Sequence, residues 1–310
     1  MKVPYLRGDY IPVYQPQADV FLGPDSEHFH AEKCYEQWVP NDFTIVHDGK
    51  HWHLIGITHP KPEWFLSPDS PINGRNIHEA EWQLFHAVST GNTLKESLYP
   101  NGFQQVEQVL PATFRPNERP EIWAPICWKH DGRYVLLYSP DPMRTAVSDD
   151  FIHWQTEGPA FFCGEDSARD PNIMEKDGIY SVVYLVGNTL YLRESRDLRH
   201  YSEPRILFNG PEGVSLESPI LKYIDGWYYL IYCIFDGNDQ INGAYDYRTY
   251  VHASRTLEEL DNSPRLAELH AHAPELFQDE QGDWYLASVE WPYRGVSIAP
   301  IGWKELEGTQ

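Results

Sequence analysis

The stretch Arg169–Gly187, RDPNIMEKDGIYSVVYLVG, decides the reading of this 310-residue chain. A short apolar run leads to Asp177-Gly178, and an alternating run of aromatic and β-branched residues follows. Asp-Gly between two such runs is a strong hairpin signal, because the favoured turn needs positive φ at both central residues. The head of the first run is the puzzle. A strand that starts a core gains nothing from an arginine and an aspartate at its mouth. Asp before Pro is a common turn starter, which is one account. The other is that Asp170 lies where several strands converge and does chemistry there.

The same phrase recurs through the chain. NDFTIVHDGKHWHLIGITH begins at Asn41, WAPICWKHDGRYVLLYSP at Trp123, ESPILKYIDGWYYLIYCIF at Glu217 and HAPELFQDEQGDWYLASVE at His272. The turn glycines Gly49, Gly132, Gly178, Gly226 and Gly282 are separated, by subtraction, by 83, 46, 48 and 56 residues. A period of roughly 40–50 residues with about four strands per unit is the signature of a β-propeller. A second phrase follows several hairpins (AVSDDFIHW, RESRDLRHY, HASRTLEEL) and reads as outer strands and their turn. The expectation is all-β: one five-bladed propeller over residues 1–310, with hairpins near 42–59, 123–140, 170–187, 217–235 and 272–290. The longer first gap predicts an excursion near Lys61 to Pro120, carrying Trp64, His78, Trp82 and His86. The last unit holds only about three strands. The segment around Tyr10 to Phe21 is expected to supply the fourth and so remove an exposed sheet edge.

Composition narrows the partners. Net charge is −22, with 24 basic and 46 acidic residues, so nucleic acid and anionic membranes are disfavoured. Phosphorylated substrates would need a local basic cluster, and none is evident. The 11 Trp and 20 Tyr suit β-structure and also stacking on sugar rings. Cys34, Cys127, Cys163 and Cys233 form no Cys-x-x-Cys or Cys/His pattern and read as free thiols. No apolar run approaches the roughly 18 residues of a membrane span. The N-terminal stretch lacks an apolar leader core. The chain is therefore expected to be soluble and cytoplasmic, or secreted or periplasmic had a leader been removed. Its oligomeric state is left open.

Aligning the hairpins on their apolar pairs puts Asp42, Trp123 or Ala124, Asp170, Glu217 and His272 just before the innermost strands. In a propeller these positions surround the central channel. Converging carboxylates repel, so at least one holds a proton near neutral pH. Glycoside hydrolysis needs one carboxylic acid to protonate the leaving oxygen and one carboxylate as base or nucleophile.

On these motifs the chain resembles the five-bladed propeller glycosidases of families 43, 32, 62, 68 and 117, over about residues 40 to 303. WAPICWKHDGRYVLLYS is similar to the second-blade motif of family 43, with Ile126 where an acidic residue is usual. ARDP resembles the Arg-Asp-Pro of families 32 and 68, and ESP the Glu-x-Pro of the general acid in families 32 and 43. The resemblance implies Asp42 as base or nucleophile, Asp170 as transition-state stabiliser and pKa tuner, and Glu217 as general acid. It makes Arg169 a ligand of a sugar hydroxyl, with a plain salt bridge as the alternative. Trp38 and Trp123 are candidate sugar-stacking residues. His272 matches a family 43 histidine that touches a central calcium or its waters, so a structural calcium is carried as an expectation, with no cofactor required for the chemistry. WVPNDFTIV departs from the family 32 pattern, and Asp42 lies seven residues before Gly49, as in family 43. The reading is an exo-acting, inverting hydrolase of a terminal furanoside or pentopyranoside. A retaining fructofuranosidase-like hydrolase and a non-catalytic carbohydrate-binding propeller are the alternatives. A WD40 propeller is excluded by its missing Gly-His and Trp-Asp pairs.

Overall fold

The computed structural model describes residues 1–16, 38–60, 68–69, 81–111, 114–235 and 247–306. They form five antiparallel sheets, the blades of a propeller. Blade one holds Trp38–His47, Trp52–Pro60, Leu84–Ser89 and Phe103–Gln105. Blade two holds Trp123–His130, Arg133–Ser139, Met143–Ser148 and Gln155–Phe161. Blade three runs Arg169–Lys176, Ile179–Val186, Thr189–Ser195 and Arg205–Asn209, and blade four Ser215–Ile224, Trp227–Phe235, Arg248–Ser254 and Arg265–His270.

Blade five takes only Glu275–Gln278, Trp284–Val289 and Val296–Glu305 from the end of the chain. Its outer edge is closed by the N-terminal segment, as expected, but in two pieces. Lys2–Leu6 pairs with Ile301 to Glu305, and Ile11–Tyr14 pairs with Val296 to Ile298. The segment also ties the ring sideways. The Tyr10 hydroxyl donates to the His270 carbonyl of blade four at 2.7 Å, and Tyr14 stacks on Phe85 of blade one at 4.9 Å. The part of the expected closing segment beyond residue 16, to Phe21, lies outside the described residues.

The core explains why the second strand of each hairpin reads as a continuous apolar run. Each blade is buried on both faces, and each interface between neighbouring blades has its own cluster. Val182 packs towards blade two while Val183 packs towards blade four; Ile220 faces blade five and Leu221 blade three. Cys127 lies in the interface of blades one and two, and Phe43 and Trp52 in that of blades five and one. Strands covered on both faces lose the hydrophobic–polar alternation of a half-exposed sheet.

The first-blade excursion is divided differently from expectation. Leu84–Ser89 and Phe103–Gln105 are the third and fourth strands of blade one. The added chain lies before and after them. Trp82 and His86, read as part of that excursion, are 7% and 3% exposed and belong to the packed interior. His86 instead meets His53, ring nitrogen to ring nitrogen, at 2.8 Å. Trp64, His78 and Cys34 lie outside the described residues.

Candidate active site

The inner strands begin with a shared irregularity that builds the site. Ala124-Pro125, Asp170-Pro171 and Ser218-Pro219 each break the pairing register with the second strand. Ala124, Asp170, Ser218 and Ala273, each followed by proline, have φ of 31°, 56°, 47° and 39°. Non-glycine residues held there carry strain, which persists only where the surroundings enforce it. Proline suits such a break because it has no N–H to contribute to the ladder. Asp42 takes the same place in blade one. Two residues on, Thr44 Oγ1 accepts from the backbone N–H of Cys127 in blade two, as Asn172 Oδ1 accepts from that of Leu221 in blade four, both at 3.2 Å.

This equivalence corrects the alignment drawn from the hairpins. The acids do not share one register. Asp42 and Asp170 fall level with Ala124, Ser218 and Ala273. Glu217 and His272 fall one residue earlier, level with Asn41, Trp123 and Arg169. The apolar pairs could not show the offset, because the bulge adds its extra residue between them and the acids. The two levels form two spaces. A cleft of about 450 Å³ is lined by Asn41, Asp42, Trp123, Arg169, Asp170, Glu217 and His272, with His59, Glu81 and Phe235 among its walls. Beneath it, a cavity of about 20 Å³ touches Asp42, Asp170, Asn172, Ser218 and Glu275.

Ser218 binds the two aspartates together. Its hydroxyl donates to Asp42 Oδ1 at 2.6 Å and its backbone N–H to Asp170 Oδ2 at 3.0 Å. Arg169 sits above. Its Nε is 3.6 Å from Asp170 Oδ2, and its Nη2 is 3.5 Å from Glu217 Oε1 and 3.4 Å from Ser215 Oγ. The salt bridge and a hydroxyl-binding role are thus compatible: the guanidinium is engaged with both acids yet 23% exposed at the cleft.

Burial dominates the electrostatics. It raises the Asp42 carboxyl above its ordinary range, with Glu81 adding to the rise and the Ser218 hydroxyl and Arg169 opposing it. Asp170 is pushed up to about 7 by burial first and then by the charge of Asp42; Arg169 and the Ser218 N–H work against the rise. Deeper in the channel, burial pushes Glu275 up to about 8 against the attraction of Lys222. The Asp42–Asp170 pair therefore retains a proton at a pH where ordinary aspartates have lost theirs.

Of the expected site residues, Asp42, Arg169, Asp170, Glu217, Trp123 and His272 converge on the cleft. Trp38 opens the inner strand of blade one, and its side chain lies outside the described residues. His272 is 3% exposed, and its backbone N–H donates to Ser288 Oγ at 2.9 Å. Among the described residues no three His, Cys, Asp or Glu side chains gather as a metal-binding set. His272 is thus the one side chain, among the described residues, that the expected calcium or its waters would touch. Hairpin alignment missed Glu81 and His59, which are 2% and 1% exposed and line the cleft from blade one. His59 closes the first hairpin phrase, but at the end away from the acids, and Glu81 stands outside the repeat, so only folding brings them to the axis.

No family model matches the chain. Over 158 residues it is 25% identical to the sucrose-6-phosphate hydrolase of Escherichia coli, a match covering 45% of this chain and 30% of that protein. The chain thus spans less than a third of the length of this curated relative. Among solved structures it is similar to an exo-1,5-α-L-arabinanase from a bovine ruminal metagenomic library, with a TM-score of 0.60 at 14% identity over 87% of this chain and 94% of that one. An endo-arabinase from Bacteroides thetaiotaomicron superposes with a TM-score of 0.62 at 14% identity, covering 88% and 96% of the two chains. A family 32 β-fructofuranosidase from Bombyx mori gives a TM-score of 0.57 at 17% identity over 87% of this chain and 62% of that one. At these identities the likeness establishes the shared five-bladed fold.

Proposed function

We propose that this protein is a glycoside hydrolase whose active site is the axial cleft. The observation that carries the reading is the pairing of Asp42 with Asp170 through Ser218, directly beneath the Arg169–Glu217 pair, in a cleft open to solvent. A binding-only propeller has no need of buried aspartates that share a proton, a costly arrangement kept where chemistry uses it. That the chain's relatives in sequence and fold include hydrolases of glycosidic bonds supports the same reading.

In this scheme Glu217, the more exposed acid, protonates the leaving oxygen. Asp42, oriented by the Ser218 hydroxyl, removes a proton from the attacking water. With the pair's proton on Asp170, Asp42 stays ionised as the base; once that proton is lost, Asp170 also stabilises the positive charge that develops on the sugar ring. Arg169 grips a ring hydroxyl and keeps Glu217 aimed into the cleft. Trp123 offers a flat wall for the sugar. The cleft volume lies towards the small end of ligand sites, which favours a terminal sugar over a chain threaded through. The substrate is a terminal furanoside or pentopyranoside, released with inversion.

The second reading, a retaining fructofuranosidase-like hydrolase, is favoured by the local identity to sucrose-6-phosphate hydrolase and by Arg169-Asp170-Pro171. A screen of nitrophenyl arabinofuranoside and xyloside together with sucrose and short fructans tests the function. Proton NMR of the first-formed sugar then separates the readings. Inversion makes Asp42 the base; retention, or transfer to methanol, makes it the nucleophile. A chain that turns over none of these and binds none of their sugars overturns the proposal.

A further inference from the structure

We propose that Glu81, carried in by the long connection of blade one, is the specificity-determining residue of the cleft, accepting hydrogen bonds from hydroxyls of the bound sugar. The inference rests on the glycosidase reading and adds the residue that selects the sugar. Glu81 is 2% exposed and lines the cleft with Ile57, His59 and Trp123. A carboxylate has acceptor capacity on two oxygens, which suits adjacent hydroxyls of one sugar ring.

The wall behind it is built to hold one geometry. The Glu81 carbonyl accepts from the Ile122 N–H at 2.8 Å, which clamps it to the strand that begins with Trp123. The buried Arg115 donates to the carbonyls of Leu110, Trp82 and Pro120 at 2.9, 3.3 and 2.7 Å. The buried Arg144 donates to the carbonyls of Ser139 and Glu121, both at 2.8 Å. Glu118 lies between the two guanidinium groups, 3.4 Å from Arg115 and 3.3 Å from Arg144, and accepts from the Tyr138 hydroxyl at 2.9 Å. Two buried arginines spent on loop carbonyls fix Trp82, the residue after Glu81, and the Pro120-Glu121 segment that leads to Ile122. A polar group held in this way discriminates strongly, because a sugar lacking the matching hydroxyl leaves it without that bond.

Glu81 also acts on the acids through its charge. The cleft groups around it are Asp42, Asp170, Glu217, Arg169, His59 and His272. Its negative charge favours the protonated form of both aspartates. This gives a readout that a merely structural residue would not move.

The test compares wild type with Glu81→Gln and Glu81→Asp, each checked for an unchanged circular dichroism spectrum and melting. On the best glycoside of the panel, Glu81→Gln should raise KM roughly ten- to hundred-fold with a smaller loss in kcat. A deoxy substrate lacking the recognised hydroxyl should lose most of its disadvantage in this variant. The acid limb of kcat/KM should move to lower pH by about half a unit, and Glu81→Asp should restore the wild-type limb. Equal KM, equal deoxy discrimination and an unmoved pH profile in Glu81→Gln overturn the inference while leaving the function intact. A wild type that neither turns over nor binds any sugar overturns both.

Discussion

Replacing Asp170 by Asn should stabilise the fold at neutral and alkaline pH while abolishing the proposed activity. Asp170 titrates at about 7 in the fold, against 3.8 as its ordinary value. Between those values the folded protein holds a proton that the unfolded chain releases, so stability falls as pH rises. The loss is about 1.4 kcal/mol for each pH step, roughly 4 kcal/mol in all as an upper bound, because Asp42 shares the proton. Asparagine cannot ionise. The Ser218 N–H and the Arg169 Nε both face the same oxygen, Oδ2. An asparagine with its oxygen at that point keeps both contacts. Its advantage over wild type should therefore be close to zero near pH 4, grow from there, and level off above pH 7. Urea unfolding followed by tryptophan fluorescence at pH 5, 6, 7 and 8 reads this directly. A variant less stable than wild type at pH 8, or a difference that is the same at pH 5 and pH 8, would refute the buried-proton argument.

The other acids should respond differently. Asp42→Asn and Glu217→Gln should each lower kcat by a factor of about 10² to 10⁴ on natural leaving groups, and Glu217→Gln should spare nitrophenyl leaving groups, which need no proton; full activity of Glu217→Gln on an alkyl glycoside would sink its role. Deleting residues 1–14 removes the buried Val3, Tyr10, Val13 and Tyr14 and bares the edge of Val296–Glu305. At about 1.5–3 kcal/mol per large side chain, the four together lose roughly 6–12 kcal/mol, comparable to the whole stability of a typical domain, so a truncated chain with an unchanged, sharp melt would refute closure by this segment. If calcium or its waters bind at His272 in the channel, dialysis against a chelator should lower the melting temperature and added calcium should restore it, and His272→Ala should abolish that response; an unchanged melt and activity after dialysis would leave His272 a hydrogen-bonding residue only.

The sequence alone determined the number of blades and their hairpins, because Asp-Gly turns and paired apolar runs are local and repeat. It also singled out Asp42, Asp170 and Glu217, since a charge at the head of a buried strand needs a reason. The level of each acid along the axis was decided by tertiary structure. That Asp170 falls level with Ser218, and Glu217 one residue earlier, depends on bulges at positive φ, which are accompanied by the bonds of Thr44 and Asn172 to neighbouring blades. Local preference runs against those conformations, so no pattern along the chain announces them. Glu81 shows the same limit from the other side. It stands outside the repeat, and at the cleft it is held by the Ile122 N–H on its own carbonyl and by Arg115 on the carbonyl of Trp82, contacts between segments far apart in the chain. A repeat records what each blade shares. The differences between blades that make a site are long-range, and only the closed ring brings them within reach of one another.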